Sequence, residues 1–486
     1  MKKRYLYAIL LASILVLACV SSATAATMSV AASDSASTTK LQANLVCTGS
    51  NDRTQITSAL NSVATSGGGT VYLSEGTFTI SSINIPANVV LQGKGPASTL
   101  LRFPSTGNVN LPNSGSKLVG VKITGPAVVY ITASHVTVED VALYSKGKRW
   151  AAFCVEKLSA ASTLEDIEFR SCQAIDCDTT GFMISASDYS YVIKNLRFIS
   201  CRAVNCGASG QYNPWVVGFD LAERASVDGM LVDSCYASGS YESGFHFEGA
   251  PSVKNAVLRN CVSENNGLSP TAQWGAGYVV GEGTVLENCK SANNQYGFFI
   301  HTAGFRASQC VDTGSDTSFI MARYISGITL TNVGSKNAKE TALTGLDQSN
   351  LKVTNMVVEN CLGSTPVLAP RATNSVIDWK YGSVSSIGSG VVTTPTAVKT
   401  AVSKPTQIAP STATIKFTST PTVGKIYLDG VYKGVTPAKI SGITLGVHRA
   451  EIRYSGYRTW VKSISVTSDF VNRISPYSYN PTLVRL

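Results

Sequence analysis

Between Leu164 and Met321 the chain repeats one unit with variations: a short apolar strand running into Cys, a polar turn, and a Gly-aromatic pair that opens a second strand. The rows read Ile167-Glu168-Phe169 to Cys172 and Gly181-Phe182; Leu196-Arg197-Phe198 to Cys201 and Gly218-Phe219; Met230 to Cys235 and Gly244-Phe245. They continue with Ala256 to Cys261 and Gly277-Tyr278, Thr284 to Cys289 and Gly297-Phe298, and Phe305 to Cys310 and Ser318-Phe319. A unit this short cannot bury its own apolar face, so it must stack on its neighbours, and the array constrains the fold to a solenoid. Few charged residues (14%) and abundant Gly (41), with short Val- and Thr-containing runs between polar turns, make the solenoid one of strands.

Most of the twelve Cys follow the repeat. Cys172, Cys201, Cys235, Cys261, Cys289 and Cys310 occupy one equivalent position, with Val333 and Cys361 continuing the column. Stacked rows lie about 4.8 Å apart with side chains parallel, which holds the Cβ atoms farther apart than an unstrained disulfide prefers. The column therefore reads as a buried ladder of small apolar thiols. Cys177 and Cys206 begin a second column that Ser240, Asn266 and Asn294 continue, where side-chain amides stack and hydrogen-bond. Cys-x-x-Cys spacing is absent, so neither column reads as a metal site.

Lys2, Lys3 and Arg4, the apolar run from Leu6 to Val20 and Ala23-Thr24-Ala25 form a signal peptide over residues 1–25, cleaved before Ala26, so the chain is expected to be exported. The alternative is a lipid on Cys19, after Val16-Leu17-Ala18. No later run is long enough to span a bilayer. Residues 27–40, rich in Ser, Ala and Thr, are expected to be flexible. The formal net charge is +10, unevenly placed: residues 413–486 hold ten Lys or Arg against Asp429, Glu451 and Asp469, whereas residues 27–382 are nearly balanced. A basic tail on an exported chain points to an anionic envelope polymer or lipid headgroup and away from nucleic acid.

After Asp52 a short amphipathic helix is predicted over residues 53–64, capped by Asp52, with Ile56, Leu60 and Val63 on one face. Gly67-Gly68-Gly69-Thr70-Val71-Tyr72-Leu73, Glu75-Gly76-Thr77-Phe78 and Leu91-Gln92-Gly93-Lys94-Gly95 follow. This stretch resembles the N-terminal portion of pectate-lyase-like and rhamnogalacturonase-like proteins of the right-handed parallel β-helix superfamily. The resemblance implies an all-β, right-handed parallel β-helix over residues 41–382, with the short N-terminal helix covering its open end. Leu164, Ile167, Phe169 and Cys172 also fit leucine-rich-repeat spacing, but each Cys leads through Asn, Ser and Gly to a second strand, which disfavours that fold. A Thr/Pro/Ser-rich linker follows over residues 383–412. Residues 413–486, with Asp429-Gly430, Thr436-Pro437 and Gly456-Tyr457, resemble a PEGA domain, a small β-sandwich found on cell-envelope proteins; the resemblance implies no catalytic residues there.

Strand side chains alternate, so in the Gly-aromatic strands the residues next to the aromatics face outward. The outward positions are Met183 and Ser185, Asp220 and Ala222, His246 and Glu248, Val279 and Gly281, and Phe299 and His301. Asp220 and His246 become neighbours on adjacent rows, with Glu248 on the same face. The turns before Gly218 and before Gly277 are the long ones; the first carries Tyr212, Asn213 and Trp215, the second Gln273 and Trp274. They flank the row holding Tyr241, Glu242, His246 and Glu248, and aromatic walls around a carboxylate floor suit a sugar chain. Tyr212, Trp215, Tyr241, Glu242, Trp274 and His301 are accordingly the candidate ligand contacts, and Asp220, His246 and Glu248 the candidate catalytic set. Asp220 and Glu248 stand roughly 8 Å apart by row geometry, in the range of an inverting acid-base pair.

The Asn-Thr-Asp, Asp-Asp and Gly-His-Gly motifs of the superfamily's hydrolases are absent. So are the several Asp that hold calcium in its lyases, and Arg224 is the one Arg near this face. Two functions follow. In the first, the protein is an envelope protein binding a polysaccharide or envelope glycan in the groove, with the PEGA domain on an anionic envelope polymer and no cofactor. In the second it is a secreted polysaccharide lyase or glycoside hydrolase, using calcium if a lyase.

Overall fold

A computed structural model describes residues 25–208, 215–249, 251–269, 274–345, 348–361, 367–368, 374–387, 412–444, 446–466 and 477–485. Residues 1–24, which hold nearly all of the expected signal peptide, and residues 388–411 of the expected linker lie outside this set. The chain divides into two compact units, residues 1–401 and 402–486.

The first unit is a right-handed parallel β-helix. Each row of the array supplies three strands. Glu165–Arg170, Val192–Ile199, Ser226–Asp233 and Val253–Arg259 pair in parallel along one side. Gln173–Ile175, Arg202–Val204, Tyr236–Ser238 and Val262–Glu264 pair along a second. The Gly-aromatic strands form a separate twelve-stranded sheet. Two bends produce this cross-section. Ser171, Ser200, Ser234, Asn260, Asn288, Gln309 and Asn332, each immediately before the first Cys-column position, have φ of 49 to 55°. Asp176, Asn205, Asn265, Asn293, Asn337 and Asn360 do the same five residues later. Short polar side chains tolerate the left-handed conformation, and here they also stack: Asn205 donates to Asp176 at 2.8 Å and Asn288 to Asn260 at 2.9 Å.

The six thiols of the first column are buried and unbridged. Five of them donate to a carbonyl of the preceding row, as Cys172 does to Val138 (3.2 Å) and Cys235 to Phe198 (3.4 Å). A Cys at the bend thus fills space and engages a carbonyl lone pair. In the second column Asn266 donates to Asn294 Oδ1 at 3.1 Å, and both amides are buried. The Gly of each Gly-aromatic pair sits at a crowded corner: a Cβ on Gly244 would come within 1.9 Å of Ser263 Oγ.

Three expectations are corrected. The segment expected to be flexible forms the strand Ala26–Ala31, paired with Gly69–Leu73, and the helix Ser37–Gln42, so the coil begins before Leu41. Its alternating Met28 and Val30 reach the core, which the high Ser and Ala content concealed. The register carries the first column from Val333 to Met356, because Gly334 pairs with Val357; Cys361 therefore falls in the second column. Asp52 does not cap the helix Arg53–Thr65 with its side chain, but accepts from Gly49 N (2.7 Å) and Thr79 N (2.8 Å), tying the helix to the coil. The helix itself buries Ile56, Ala59, Leu60 and Val63.

The second unit packs a three-stranded sheet (Thr412–Phe417, Ala438–Thr444, Tyr477–Tyr479) and a four-stranded antiparallel sheet (Lys425–Leu428, Val431–Val435, Gly446–Arg453, Trp460–Val466) around Ile415, Phe417, Ile426, Ile452 and Ile464. Asp429 and Gly430, at φ 51° and 81°, make the tight hairpin turn their sequence calls for. Among the described residues no helix is long and apolar enough to cross a membrane.

Candidate functional site

The twelve-stranded sheet sets the register of the site. Phe182, Phe219, Phe245 and Tyr278 point inward, and the residues after them, Met183, Asp220, His246 and Val279, are cross-strand partners on the outer face. Asp220 and His246 are therefore adjacent, and Glu248 leaves the same face two residues on. Facing outward does not leave them in water: Asp220 and His246 are each 6% exposed. Neighbouring turns rise around them and enclose a cleft of about 540 Å³.

Four carboxyl groups share this cleft: Asp220, Glu223, Glu242 and Glu248. Glu242 stands at the entry to its strand, held by its backbone N–H to Val216 O at 2.8 Å, and is 2% exposed. Asp220 Oδ1 and Glu242 Oε1 are buried with no hydrogen-bond partner, so nothing compensates for a buried charge on either oxygen. Burial, reinforced by the Glu248 and Glu223 charges, pushes Glu242 up to about 8. Burial pushes Asp220 well above the ordinary carboxyl range, with Glu223 and Glu248 adding to it and a hydrogen bond to Glu223 favouring the protonated form. Glu248, half-exposed at the cleft mouth, is raised by burial and by Glu223. These are like charges in a partly dry space, the situation that drives carboxyl groups to hold protons.

His246 is neutral for the opposite reason. Burial, then the neighbouring His301, takes it down to about 3. Its Nδ1 lies 3.0 Å from Ser243 Oγ and its Nε2 3.6 Å from Glu248 Oε1. The imidazole thus stands between a hydroxyl and the outermost carboxylate, hydrogen-bonded to the first and just beyond hydrogen-bond length of the second.

The walls are aromatic. Trp215 and Trp274 line the cleft from the two long turns, as their spacing predicts, and Trp274 packs on Phe299 at 4.7 Å. Two expected contacts lie elsewhere. Tyr241 packs against the hydrophobic core and does not line the cleft, because its side chain is taken by the corner beneath Gly207. His301 lines a smaller adjoining pocket, where it meets Glu248, and stacks along Phe299 at 6.4 Å. Tyr212, Asn213 and Gln273 lie outside the described residues.

Sequence reasoning missed Glu223 and the run Lys148-Arg149-Trp150, all of which line the cleft. Glu223 follows the last alternating outward position, where the chain leaves the strand and the period-two rule lapses. Lys148, Arg149 and Trp150 precede the strand Ala151–Lys157, one row before the array in which the repeat is legible. A signal existed: Trp150 is a large apolar residue in a charged turn, and it is 81% exposed.

Among the described residues, one group of three metal-ligand side chains converges, the exposed His135 with the half-buried Glu165 and exposed Asp166 of the next row. The cleft carboxylates are not part of this group.

Comparisons with known proteins bear on both units. A family model described as rhamnogalacturonase A/epimerase, pectate lyase-like, matches residues 43–293, and the PEGA domain model matches residues 412–475. No curated protein sequence matches the chain. Similar solved structures include the catalytic domain of a GH87 α-1,3-glucanase (12% identity, 68% of this chain and 67% of that one, TM-score 0.41). They include a tailspike of Acinetobacter baumannii bacteriophage Fri1, a capsular polysaccharide depolymerase (13%, 90% and 80%, 0.41), and a pectate lyase (14%, 72% and 80%, 0.41). At these scores the structural likeness carries no argument about the site. The family-model match spans half of the sequence, and with it the chain belongs to the rhamnogalacturonase A/epimerase, pectate lyase-like family, carrying a PEGA domain at its C-terminal end.

Proposed function

We propose that the chain is an exported, envelope-associated enzyme that binds a polysaccharide in the cleft and cleaves its glycosidic bonds by acid-base catalysis. The observation that carries this reading is the carboxyl cluster. Glu242 is pushed up to about 8 by burial and then by the Glu248 and Glu223 charges, so the cleft sets a proton donor at neutral pH beside the half-exposed Glu248 carboxyl group. A binding groove has no use for such a pair, since a buried, unpartnered carboxyl group costs stability.

In the hydrolytic form, Glu242 gives its proton to the leaving glycosidic oxygen as the C–O bond breaks. Glu248, beside His246, takes a proton from the water that forms the new C–O bond. Asp220, held protonated chiefly by burial, keeps the remaining negative charge of the site low. The Trp side chains stack on sugar CH faces and hold the chain across the floor. The ten basic residues of the C-terminal region support a tethering role on an anionic envelope polymer.

Incubation with a panel of polysaccharides tests the reading, with new reducing ends reporting hydrolysis and unsaturated products reporting a lyase. Product release by the natural protein and its loss in Glu242→Gln is the expected result. Binding of a polysaccharide without product from either protein would leave the groove as a lectin-like site and overturn the enzyme.

A further inference from the structure

Next to the carboxylate cleft, and sharing Arg149, Trp150, Met183 and Glu223 with it, is a second arm of about 610 Å³ on the same sheet face. Its floor breaks the pattern expected of outward positions. Val128 and Cys154 are 4% and 5% exposed, and with Met183 and Tyr130 packed on them they form an apolar cluster outside the main core. Cys154, Met183 and Tyr130 are register partners on three successive strands, so the apolar surface is continuous along the stack. Burial pushes the Cys154 thiol far up, which keeps it neutral and inert. The Tyr130 hydroxyl is already committed to Glu156. Polar groups stand at the rim, where Arg149 donates to Asn108 Oδ1 at 2.5 Å and Arg224 lies over the Tyr189 ring at 5.6 Å.

A sugar hydroxyl set over the Val128, Cys154 and Met183 patch finds no partner there, the polar Glu156 and Ser185 standing beside it, and so carries a desolvation cost. An ester substituent fits both parts: its methyl end lies on the Cys154 and Met183 floor, and its carbonyl oxygen accepts from a guanidinium at the rim. We propose that this arm is a subsite for an O-acyl group, and that the polysaccharide acted on carries O-acetyl substituents. The inference rests on the proposed function and names the substrate class of that same cleft.

The full-length protein would be assayed on naturally O-acetylated pectin, xanthan and glucomannan beside the alkali-deacetylated form of each, with binding followed separately by affinity electrophoresis. At least one acetylated polymer is expected to be bound or cleaved about tenfold better than its deacetylated form, the scale a methyl group commands in an apolar pocket. Met183→Gln, and independently Cys154→Ser, should shrink that ratio, while Met183→Leu keeps it. Equal handling of both forms with product release overturns the acyl subsite and leaves the enzyme standing. An acetyl preference in binding without products does the reverse. A preference that persists in both polar variants, or no binding to any polymer, overturns the subsite.

Discussion

The inward column of the twelve-stranded sheet, from Phe153 through Phe182, Phe219, Phe245, Tyr278 and Phe298 to Phe319, is a stack of near-parallel rings 4.7 to 5.1 Å apart. The outward column one residue later, on the same strands and in the same register, runs Cys154, Met183, Asp220, His246, Val279, Phe299, Ile320. Inside, each ring is best served by the same ring one row up, so the physics of packing enforces repetition. Outside, no neighbour demands a copy, and a titratable pair in a run of apolar residues is a departure that packing does not explain. The comparison assigns stability to what repeats and chemistry to what does not, and each half of that assignment can be broken by substitution.

The largest effect is expected where the outer face departs most. Glu242→Gln should lower turnover on a cleaved polysaccharide by about 10² to 10⁴-fold, the usual worth of a positioned acid. Its melting temperature should hold or rise, because the amide removes a carboxyl group buried without compensation. The pH profile sharpens the assignment. A proton donor near 8 places the alkaline limb of kcat/KM there, and the raised Glu248 places the acid limb above the ordinary carboxyl range. The folded-state pKa of Glu242 lies above its unfolded value of 4.5. The folded protein therefore binds the extra proton between those values, and Glu242 takes stability away as pH rises from about 4.5 to 8. Denaturation across that window should show the loss in the natural protein and a shallower one in Glu242→Gln. A full turnover rate in that variant would remove the acid role from Glu242.

On the inner column the effect should be one of stability. Phe219→Ala removes a ring stacked at 4.7 Å on both Phe182 and Phe245, with an expected cost of about 3 to 5 kcal/mol in chemical denaturation. Because rows contact mainly their neighbours, hydrogen exchange should rise first in the rows next to Phe219. A loss of activity without a loss of stability would mean that the inner stack is more than scaffold.

The same division explains how much was legible in the sequence. The rows, their register, the aromatic stack and the two columns could be read because each is a repeated solution to one packing problem, as with Gly244 and Phe245 matching Gly277 and Tyr278. Asp220, His246 and Glu248 could be placed on one face because alternation extends from the aromatics beside them. Their burial could not, since it comes from turns whose height depends on folding, and neither could Glu223 or Trp150, which lie beyond the strand ends. Cys361 was placed in the wrong column because the sequence offers a Cys at that point, while the register follows the apolar Met356. The strand Ala26–Ala31 was masked by small residues that make a weak pattern until the sheet is present to receive them.

Next in size is the contribution of the walls. Trp215→Ala and Trp274→Ala should each weaken binding of a polysaccharide that the natural protein retains by about fivefold, near 1 kcal/mol of ring-to-sugar packing apiece. Trp274 packs on Phe299, so its loss should also expose the Phe299 ring and lower stability slightly. If both variants bind as the natural protein does, the outer face is not organised around a ring-stacking ligand.

The smallest effect belongs to the thiol ladder, and it separates the two things a repeated Cys supplies. Cys235 fills a buried corner and donates to Phe198 O at 3.4 Å. Cys235→Ala removes both the sulfur's volume and the donor, and should cost about 1 kcal/mol, the scale of a methyl-sized void. Cys235→Ser keeps a donor, with less volume and a larger desolvation cost. If packing dominates, serine is the worse replacement; if the carbonyl of the bend needs its partner, serine is the better one. Chemical denaturation of the two variants beside the natural protein decides the sign. In either case thiol labelling of the folded protein should be slow at all six ladder positions, because burial keeps them from reagent until the rows open. Fast labelling of Cys235 under native conditions would mean that the rows separate locally, and that the inner face is less uniform than its stacked rings imply.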